Sequence, residues 1–352
     1  ASETAPAAGA SLELDAHSLW QPSADRVMAA LPGGRGIVLG DPSGHVHFLP
    51  VGAGLEEVKA TGDDVSFIGH NAEVTLLSVD RAGNLVASAA TDNSIRIWRA
   101  DSEQPLPFTV EIAGDAVADM VFSPDAALLA VQKGTGILLL NVADGAAIGE
   151  FELGEASRDL AFAADDRIYA GGDSGVLRMV QRESEGTWSM QQLWRGPRAI
   201  RRLEASPRGD ILVIVDDEGM ASQFVLGEGR VAEQTIDFPG PVEEVAFTHG
   251  GTRAYFRTSR WTHRVGVSDA GLRWIDSVFS PKPLNGGRIV FGPPDSNTAN
   301  RAHLPAARNG FVELVALPFP GSTSPALFGN REDLLAEWRT RLSYTVAEES
   351  VD

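Results

Sequence analysis

Residues 69–98 read GHNAEVTLLSVDRAGNLVASAATDNSIRIW. Within this stretch lie three short runs rich in apolar and β-branched residues, at 73–78, 85–89 and 94–98. The segments between them are rich in Asp, Asn and Gly, which favour tight turns. Strand-like runs that are joined by such turns are typical of antiparallel hairpins. The stretch is therefore predicted to form one small antiparallel sheet.

The third run of this stretch recurs along the chain. The runs that resemble it are His45–Leu49, Ser94–Trp98, Gly136–Leu140, Val176–Val180, Ala221–Val225, His263–Val267 and Phe311–Val315. Their starts lie 49, 42, 40, 45, 42 and 48 residues apart. A period of about 40–45 residues with several strands per unit is typical of a β-propeller, whose small sheets stack around a central channel. The sequence therefore predicts an all-β fold, a seven-bladed β-propeller.

The two ends of the chain differ from the repeats. Residues 1–10 have the composition of a linker, residues 11–317 hold the seven predicted blades, and residues 318–352 form a C-terminal loop and helix tail. We expect Ser11–Trp20 to supply the outer strand of the last blade and so to close the ring. Asn330 is predicted to cap a short amphipathic helix, which either packs on the propeller or docks on another molecule.

The composition excludes several classes of function. The chain of 352 residues has 48 Asp and Glu against 29 Lys and Arg, so its formal net charge is −19. A surface this acidic repels phosphates, which argues against a nucleic-acid partner. Because the chain has no cysteine, disulfides, thiol nucleophiles and cysteine metal sites are ruled out. No apolar run reaches the length of a membrane span.

Four features of the quoted stretch resemble the tryptophan-aspartate (WD) repeat family of propellers. They are the Gly69-His70 pair, the turn aspartate Asp92, the terminal Ile97-Trp98 pair, and Ser88 as a hydroxyl partner. The resemblance implies that His70, Ser88, Asp92 and Trp98 form a structural chain of hydrogen bonds within one blade. Arg99 stands where the family has its final aspartate.

Three short motifs invite a chemical interpretation, and each has a plainer one. Gly172–Gly175 reads GDSG, as around a protease serine, but these residues also suit a strand turn and no histidine partner can be assigned. His45 and His47 lie on one face of a strand, but a metal site needs a third donor, so we expect ordinary strand surface. Asp216–Gly219 lacks the alternating acids of a calcium loop. We predict no catalytic residue, no metal and no cofactor.

Basic residues concentrate in one part of the chain. Between residues 251 and 311 there are nine basic and three acidic residues, and a second arginine cluster lies near residue 200. In a propeller, the loops before the inner strands share a face with the turns between second and third strands. The residues expected to bind an anion or an acidic partner there are Arg195, Arg198, Arg202, Arg260, His263, Arg301, His303 and Arg308. Alternatively, these arginines neutralise neighbouring carboxylates.

The whole chain resembles the periplasmic propeller in the permease subunit of phosphate-type ABC transporters. The resemblance rests on the linker-like ends, the segment 325–329, and the acidic end at 347–352. It implies a non-enzymatic periplasmic domain of an inner-membrane protein, which contacts transporter membrane subunits or a substrate-binding protein and regulates delivery of phosphate or a related anion. One alternative is a free cytoplasmic WD-repeat scaffold for protein assembly. Another is a propeller enzyme that acts on an acidic metabolite through the arginine face.

Overall fold

The chain is described by a computed structural model. The described residues are 27–32, 36–50, 65–100, 105–112, 114–163, 167–184, 186–259, 261–279, 290–291, 302–308 and 311–316. They form seven antiparallel sheets that follow one another along the chain.

The first three sheets each contain four strands. Sheet 1 comprises β1 (Val27–Ala30), β2 (Gly36–Gly40), β3 (His45–Pro50) and β4 (Val65–Ile68). Sheet 2 comprises β5 (Val74–Val79), β6 (Leu85–Ala90), β7 (Ser94–Arg99) and β8 (Pro105–Glu111). Sheet 3 comprises β9 (Val117–Phe122), β10 (Leu128–Lys133), β11 (Gly136–Asn141) and β12 (Ala147–Glu152).

The remaining four sheets vary in strand number. Sheet 4 comprises β13 (Ser157–Ala163), β14 (Arg167–Gly172), β15 (Val176–Arg182) and β16 (Trp188–Arg195). Sheet 5 comprises β17 (Ile200–Ala205), β18 (Ile211–Asp216), β19 (Met220–Val225), β20 (Arg230–Val231) and β21 (Ile236–Asp237). Sheet 6 comprises β22 (Glu244–Phe247), β23 (Arg253–Arg257), β24 (Trp261–Ser268) and β25 (Gly271–Phe279). Sheet 7 comprises β26 (Val290–Phe291), β27 (Ala302–Arg308) and β28 (Phe311–Ala316).

The predicted all-β propeller is confirmed. Each of the seven recurring runs is the third strand of a sheet, with bounds that agree with the prediction to within three residues. The first strands of sheets 1 to 6 contact one another in chain order, and β1 also lies against β27 of sheet 7. The last sheet thus meets the first, as the circular arrangement of propeller blades requires.

Apolar side chains hold neighbouring blades together. Ile137 and Leu139 of sheet 3 share one buried cluster with Leu160, Ile168 and Val180 of sheet 4. Other buried clusters likewise combine residues of sheets 1 and 2, 2 and 3, 4 and 5, and 5 and 6. Because a blade is covered on both faces, middle strands such as β2, β11 and β18 are apolar and buried along nearly their whole length.

Two aspartates of the inner strands add hydrogen bonds between blades. Asp119 of β9 accepts a 2.9 Å bond at Oδ2 from the backbone N–H of Leu160 on β13. Asp159, one position earlier on β13, accepts a 2.7 Å bond at Oδ2 from the N–H of Leu203 on β17. Each carboxylate therefore accepts a hydrogen bond from a backbone N–H group on the first strand of the next blade. This bond lies outside the hydrogen bonds that join the strands of that blade.

Three predicted features lie outside the described residues. They are the N-terminal linker, the closing strand at Ser11–Trp20, and the tail at 318–352 with its capped helix. Sheet 7 has three strands among the described residues, so the proposed fourth strand from the N-terminal segment stays a prediction.

Removing the carboxylate of Asp159 should weaken the contact between blades 4 and 5. Asp159→Ala leaves the buried N–H of Leu203 without its acceptor, which we expect to lower the free energy of unfolding by about 1–3 kcal/mol. Urea unfolding of the full chain measures this change. Asp237→Ala, which truncates an exposed aspartate on β21, is the matched control and should change stability little. Equal stability of the two variants would contradict the role of Asp159.

Candidate functional site

One edge of the ring, here called the upper rim, contains the loops before the inner strands and the turns between second and third strands. These two sets of segments are hydrogen-bonded to each other. Ile112 N donates to Asn93 O at 2.7 Å, Gly196 N to Gly175 O at 2.8 Å, and Phe238 N to Gly219 O at 3.1 Å. The backbone of the upper rim is therefore held in several blades by the same kind of contact.

Close approach at these turns requires residues that tolerate a positive φ. Gly175 has a φ of 70°, and a Cβ there would lie 2.4 Å from the carbonyl oxygen of Arg198. Asn93 occupies the corresponding place in blade 2 with a φ of 59°. Glycine and asparagine are the residues that adopt this conformation most easily, which explains the turn residues that recur with the repeat.

In blade 2 a buried chain of side-chain hydrogen bonds crosses the upper rim. Trp98 Nε1 donates to Ser88 Oγ at 2.8 Å, and that hydroxyl lies 2.7 Å from His70 Nε2. On its other side, His70 Nδ1 lies 2.9 Å from Ser94 Oγ, whose hydroxyl donates to Asp92 Oδ1 at 2.7 Å. If His70 carries its proton on Nδ1, every donor in this chain has an acceptor.

Burial controls the charge of this chain. It lowers the pKa of His70, and this effect exceeds the opposing influence of the Asp92 carboxylate. Burial also tends to raise the pKa of Asp92, but hydrogen bonds from Asn71 and Ser94 outweigh it and lower that pKa. The imidazole is thus neutral while the carboxylate is charged. A neutral, fully hydrogen-bonded histidine ties the loop before β5 to strands β6 and β7.

In blade 4 the GDSG segment forms a turn that is bound by a carboxylate. Ser174 donates its backbone N–H to Glu155 at 2.8 Å, and its hydroxyl donates to the same carboxylate. Arg178 Nη1 donates to Glu155 Oε1 at 2.6 Å. Ser174 is exposed and hydrogen-bonded to an acid rather than to a histidine. Its side chain therefore connects a turn to a loop and lacks the partner of a serine nucleophile.

In blade 5 an arginine connects the loop before the first strand to the turn between the second and third strands. Arg198 lies in the loop before β17, and its Nη atoms pair with Asp216 Oδ2 at 3.3 Å and Glu218 Oε2 at 2.7 Å. Asp216 Oδ1 also accepts the backbone N–H groups of Glu218 at 3.0 Å and Met220 at 2.8 Å. The turn at 216–219 is therefore closed by its own aspartate, and Arg198 neutralises neighbouring carboxylates.

Of the other residues of the predicted arginine face, the structure describes the side chains of three. Arg195 is exposed at the upper end of β16, near Arg198 in the chain. Arg202 is directed to the next blade, where its Nε donates to the carbonyl oxygen of Glu243 at 2.7 Å. Arg260 and Arg301 lie outside the described residues. His303 and Arg308 belong to β27, but their side chains are not among those described.

The structure corrects the position expected for His263. This residue is 2% exposed on β24, and its Nδ1 lies 2.8 Å from Ser277 Oγ. Three aromatic rings surround it, with centroid distances of 4.6 Å to Trp274, 5.0 Å to Phe238 and 6.3 Å to Trp261. Burial lowers the pKa of His263 to about 4. It is a neutral core residue, because strand alternation turns it toward the aromatic cluster and away from the rim.

In blade 1 the upper rim carries two histidines beside one aspartate. Asp41 Oδ2 lies 3.0 Å from His47 Nε2 and 3.5 Å from His45 Nδ1. Asp41 Oδ1 accepts bonds from the backbone N–H and hydroxyl of Ser43 and from the backbone N–H of His45. Burial tends to raise the pKa of Asp41. Hydrogen bonds from His47, His45 and Ser43 outweigh burial and hold that pKa well below its usual range.

The seven successive sheets define a β-propeller, and the hydrogen-bonded chain of blade 2 has the features of a WD repeat. Residues 64–99 match the family described as WD domain, G-beta repeat. The chain is also similar to "Small ribosomal subunit protein RACK1" of Candida albicans, with 28% identity over 128 residues. That match covers 34% of this chain and 40% of the relative. The chain thus spans less than half the length of the relative that it matches.

These comparisons correct the functional prediction drawn from the whole-chain resemblance. The matched family is a WD repeat and the named relative is a ribosomal subunit protein, so the periplasmic permease domain, its phosphate transport and its inner-membrane location are wrong. None of the described segments forms a helix with the length and apolar character needed to cross a membrane.

Truncation of Ser88 should destabilise blade 2 strongly. Ser88→Ala leaves Trp98 Nε1 and His70 Nε2 buried without their shared partner, which we expect to cost about 2–5 kcal/mol. Urea unfolding, followed through tryptophan fluorescence, measures the loss. Ser174→Ala removes a hydroxyl from an exposed rim turn and should cost far less. A Ser88→Ala variant as stable as the Ser174→Ala control would show that the chain of bonds contributes little.

His263 should make stability depend on pH. Its pKa is about 4 when folded and 6.5 when exposed, so between these values the unfolded chain binds a proton that the folded protein does not. The folded state therefore keeps its full stability above about pH 6.5 and loses about 3 kcal/mol as the pH falls to about 4. Urea unfolding at several pH values tests this. His263→Phe should lose less stability on acidification than the wild type, whereas His249→Phe, at an exposed histidine, should behave like the wild type.

Proposed function

We propose that the chain is a non-enzymatic scaffold that brings protein partners together on the upper rim of its propeller. The observation that carries the proposal is the match to a WD repeat at 64–99 within a succession of seven antiparallel sheets. Similarity over 128 residues to a ribosomal subunit protein supports a role within a larger assembly. This corresponds to the scaffold alternative of the sequence analysis.

The upper rim suits recognition of a protein surface because it is rigid. Side chains from the loops are bonded to the turns in blades 2, 4 and 5, through His70, Glu155 and Arg198. Segments that are already ordered lose little conformational entropy when a partner binds, so more of the contact energy remains as affinity.

The exposed charges of the rim favour a partner with charges of both signs. Arg195 is exposed, and Arg198 is 38% exposed at its side chain. Glu218 is 64% exposed and Asp173 is 63% exposed. Alternating positive and negative groups select a complementary pattern on another protein. A small free anion is a weaker candidate, because at Arg198 it would have to displace two carboxylates in a chain whose net charge is −19.

The polar groups of the rim support a scaffold more than an enzyme. Ser174 is bonded to Glu155, and His70 lies between two hydroxyl groups with a lowered pKa. Both side chains serve to fasten loops to turns. A general base needs an accessible atom near a substrate, and the buried His70 does not offer one.

Charge reversal on the rim tests the scaffold. The full chain would be used to recover partners from an extract of its source cells, with the wild type and with Arg195→Glu/Arg198→Glu in parallel. The control is Arg208→Glu/Arg230→Glu, which reverses two exposed arginines at the opposite edge of the ring. We expect the upper-rim variant to recover about tenfold less of each specific partner, because like charges then face each other. The control variant should match the wild type.

Two outcomes would contradict the proposal. One is equal recovery with both double variants, which would place binding away from the upper rim. The other is turnover of an acidic metabolite by the purified chain that persists when no protein partner is recovered. Circular dichroism of each variant would ensure that the altered recovery does not reflect unfolding.

A further inference from the structure

Asp41, His45 and His47 differ from the other side chains that form hydrogen bonds or ion pairs on the upper rim. Within the described part of the chain they form a group of three ligand-type side chains whose donor atoms all lie within 4.8 Å of one another. The sequence alone predicts ordinary strand surface at the two histidines, because it shows no third donor. The fold supplies that donor, because the turn between β2 and β3 folds Asp41 back over the strand.

The distances among these atoms fit a tetrahedral metal ion. Zn²⁺ binds histidine nitrogens and carboxylate oxygens at about 2.0–2.2 Å, so neighbouring donors of a tetrahedral site lie about 3.4 Å apart. Asp41 Oδ2 lies 3.0 Å from His47 Nε2 and 3.5 Å from His45 Nδ1. Two of the three donor spacings therefore need only a few tenths of an ångström of adjustment.

The carboxylate is already oriented for such a role. Asp41 Oδ1 is held by the backbone N–H groups of Ser43 and His45, each at 2.9 Å, and Oδ2 is left to face both imidazoles. Carboxylates that bind a metal are commonly fixed by hydrogen bonds to their other oxygen. The neighbouring backbone thus provides the support that a metal-binding carboxylate requires.

Exposure leaves room for a fourth ligand. The side chains of Asp41 and His47 are 10% and 12% exposed, whereas that of His45 is 35% exposed. The group is therefore buried on one side and open to water on the other. His45 Nδ1 lies 3.1 Å from Ser43 Oγ, and a bound ion would take the place of this contact. His70 of blade 2 differs in being buried, with hydroxyl groups facing both of its nitrogens.

We propose that Asp41, His45 and His47 bind a Zn²⁺-class ion, with water as the fourth ligand. Two imidazoles and one carboxylate favour such transition-metal ions over Mg²⁺ and Ca²⁺, which prefer oxygen ligands. The bound ion ties the β2–β3 turn to strand β3. It also strengthens the contact with blade 2, because the carbonyl oxygen of Asp41 accepts a 3.1 Å bond from Val74 N. This site is independent of the scaffold proposal.

Calorimetric titration of Zn²⁺ into the tag-free, chelator-treated full chain tests the site. We expect saturable binding that weakens about tenfold or more in His45→Ala and in His47→Ala, since each variant removes one ligand. His249→Ala, which removes an exposed histidine from a turn in blade 6, should bind like the wild type. Thermal unfolding gives a second readout, because Zn²⁺ should raise the midpoint of the wild type and not that of His45→Ala.

Two results would overturn the proposal. The first is the absence of Zn²⁺ binding by the metal-free wild-type chain. The second is binding whose affinity is the same in His45→Ala, His249→Ala and the wild type. His45→Ala is the decisive variant, because His45 is the most exposed of the three side chains and its truncation disturbs the fold least. A folded His45→Ala protein with unchanged affinity would place the ion elsewhere.

Discussion

Face-to-face burial of apolar side chains between successive sheets is the interaction on which this ring depends. Ile137 and Leu139 of one blade pack against Leu160 of the next. Similar apolar clusters lie between other pairs of neighbouring blades. Removal of this apolar area from water is the main favourable term in folding. Since both faces of a blade are used in this way, polar groups that recognise other molecules are restricted to rims and outer edges.

The upper rim meets one structural requirement with different chemistry in different blades. Each loop that enters a blade has to be fixed to the turn between the second and third strands. His70 with Asp92, Glu155 with Ser174, and Arg198 with Asp216 all make that connection. The first of these pairs belongs to the segment that matches the WD repeat. The fold tolerates such exchange because it requires a bond at this place rather than a particular residue type.

The architecture was largely predictable from the sequence, whereas the site was not. The repeated apolar runs located all seven third strands, because each strand is recognisable from its own residues and from the turn residues beside it. Side-chain direction was harder to predict: His263 faces the core, and Arg202 reaches the next blade. The roles of Asp119 and Asp159 were not predictable, although their 40-residue spacing follows the repeat period. Their partners are backbone N–H groups of another blade, which nearly every residue has, so no sequence motif identifies these contacts.

The net charge also bears on how the rim functions. A chain with a net charge of −19 would attract cations and repel acidic surfaces at long range. At the rim, however, Arg198 already has two carboxylate partners, and the pair Arg158–Asp173 is equally local. Such pairs are screened by salt and contribute little to stability. A protein that brings charges of both signs can pair with the arginine and with its carboxylates together, which a small anion cannot do. The buried His70 chain cannot be exchanged in this way. In the proposed scaffold, the exposed charges would serve recognition and the buried chain of blade 2 would serve stability, so the exposed charges could change while the fold persists.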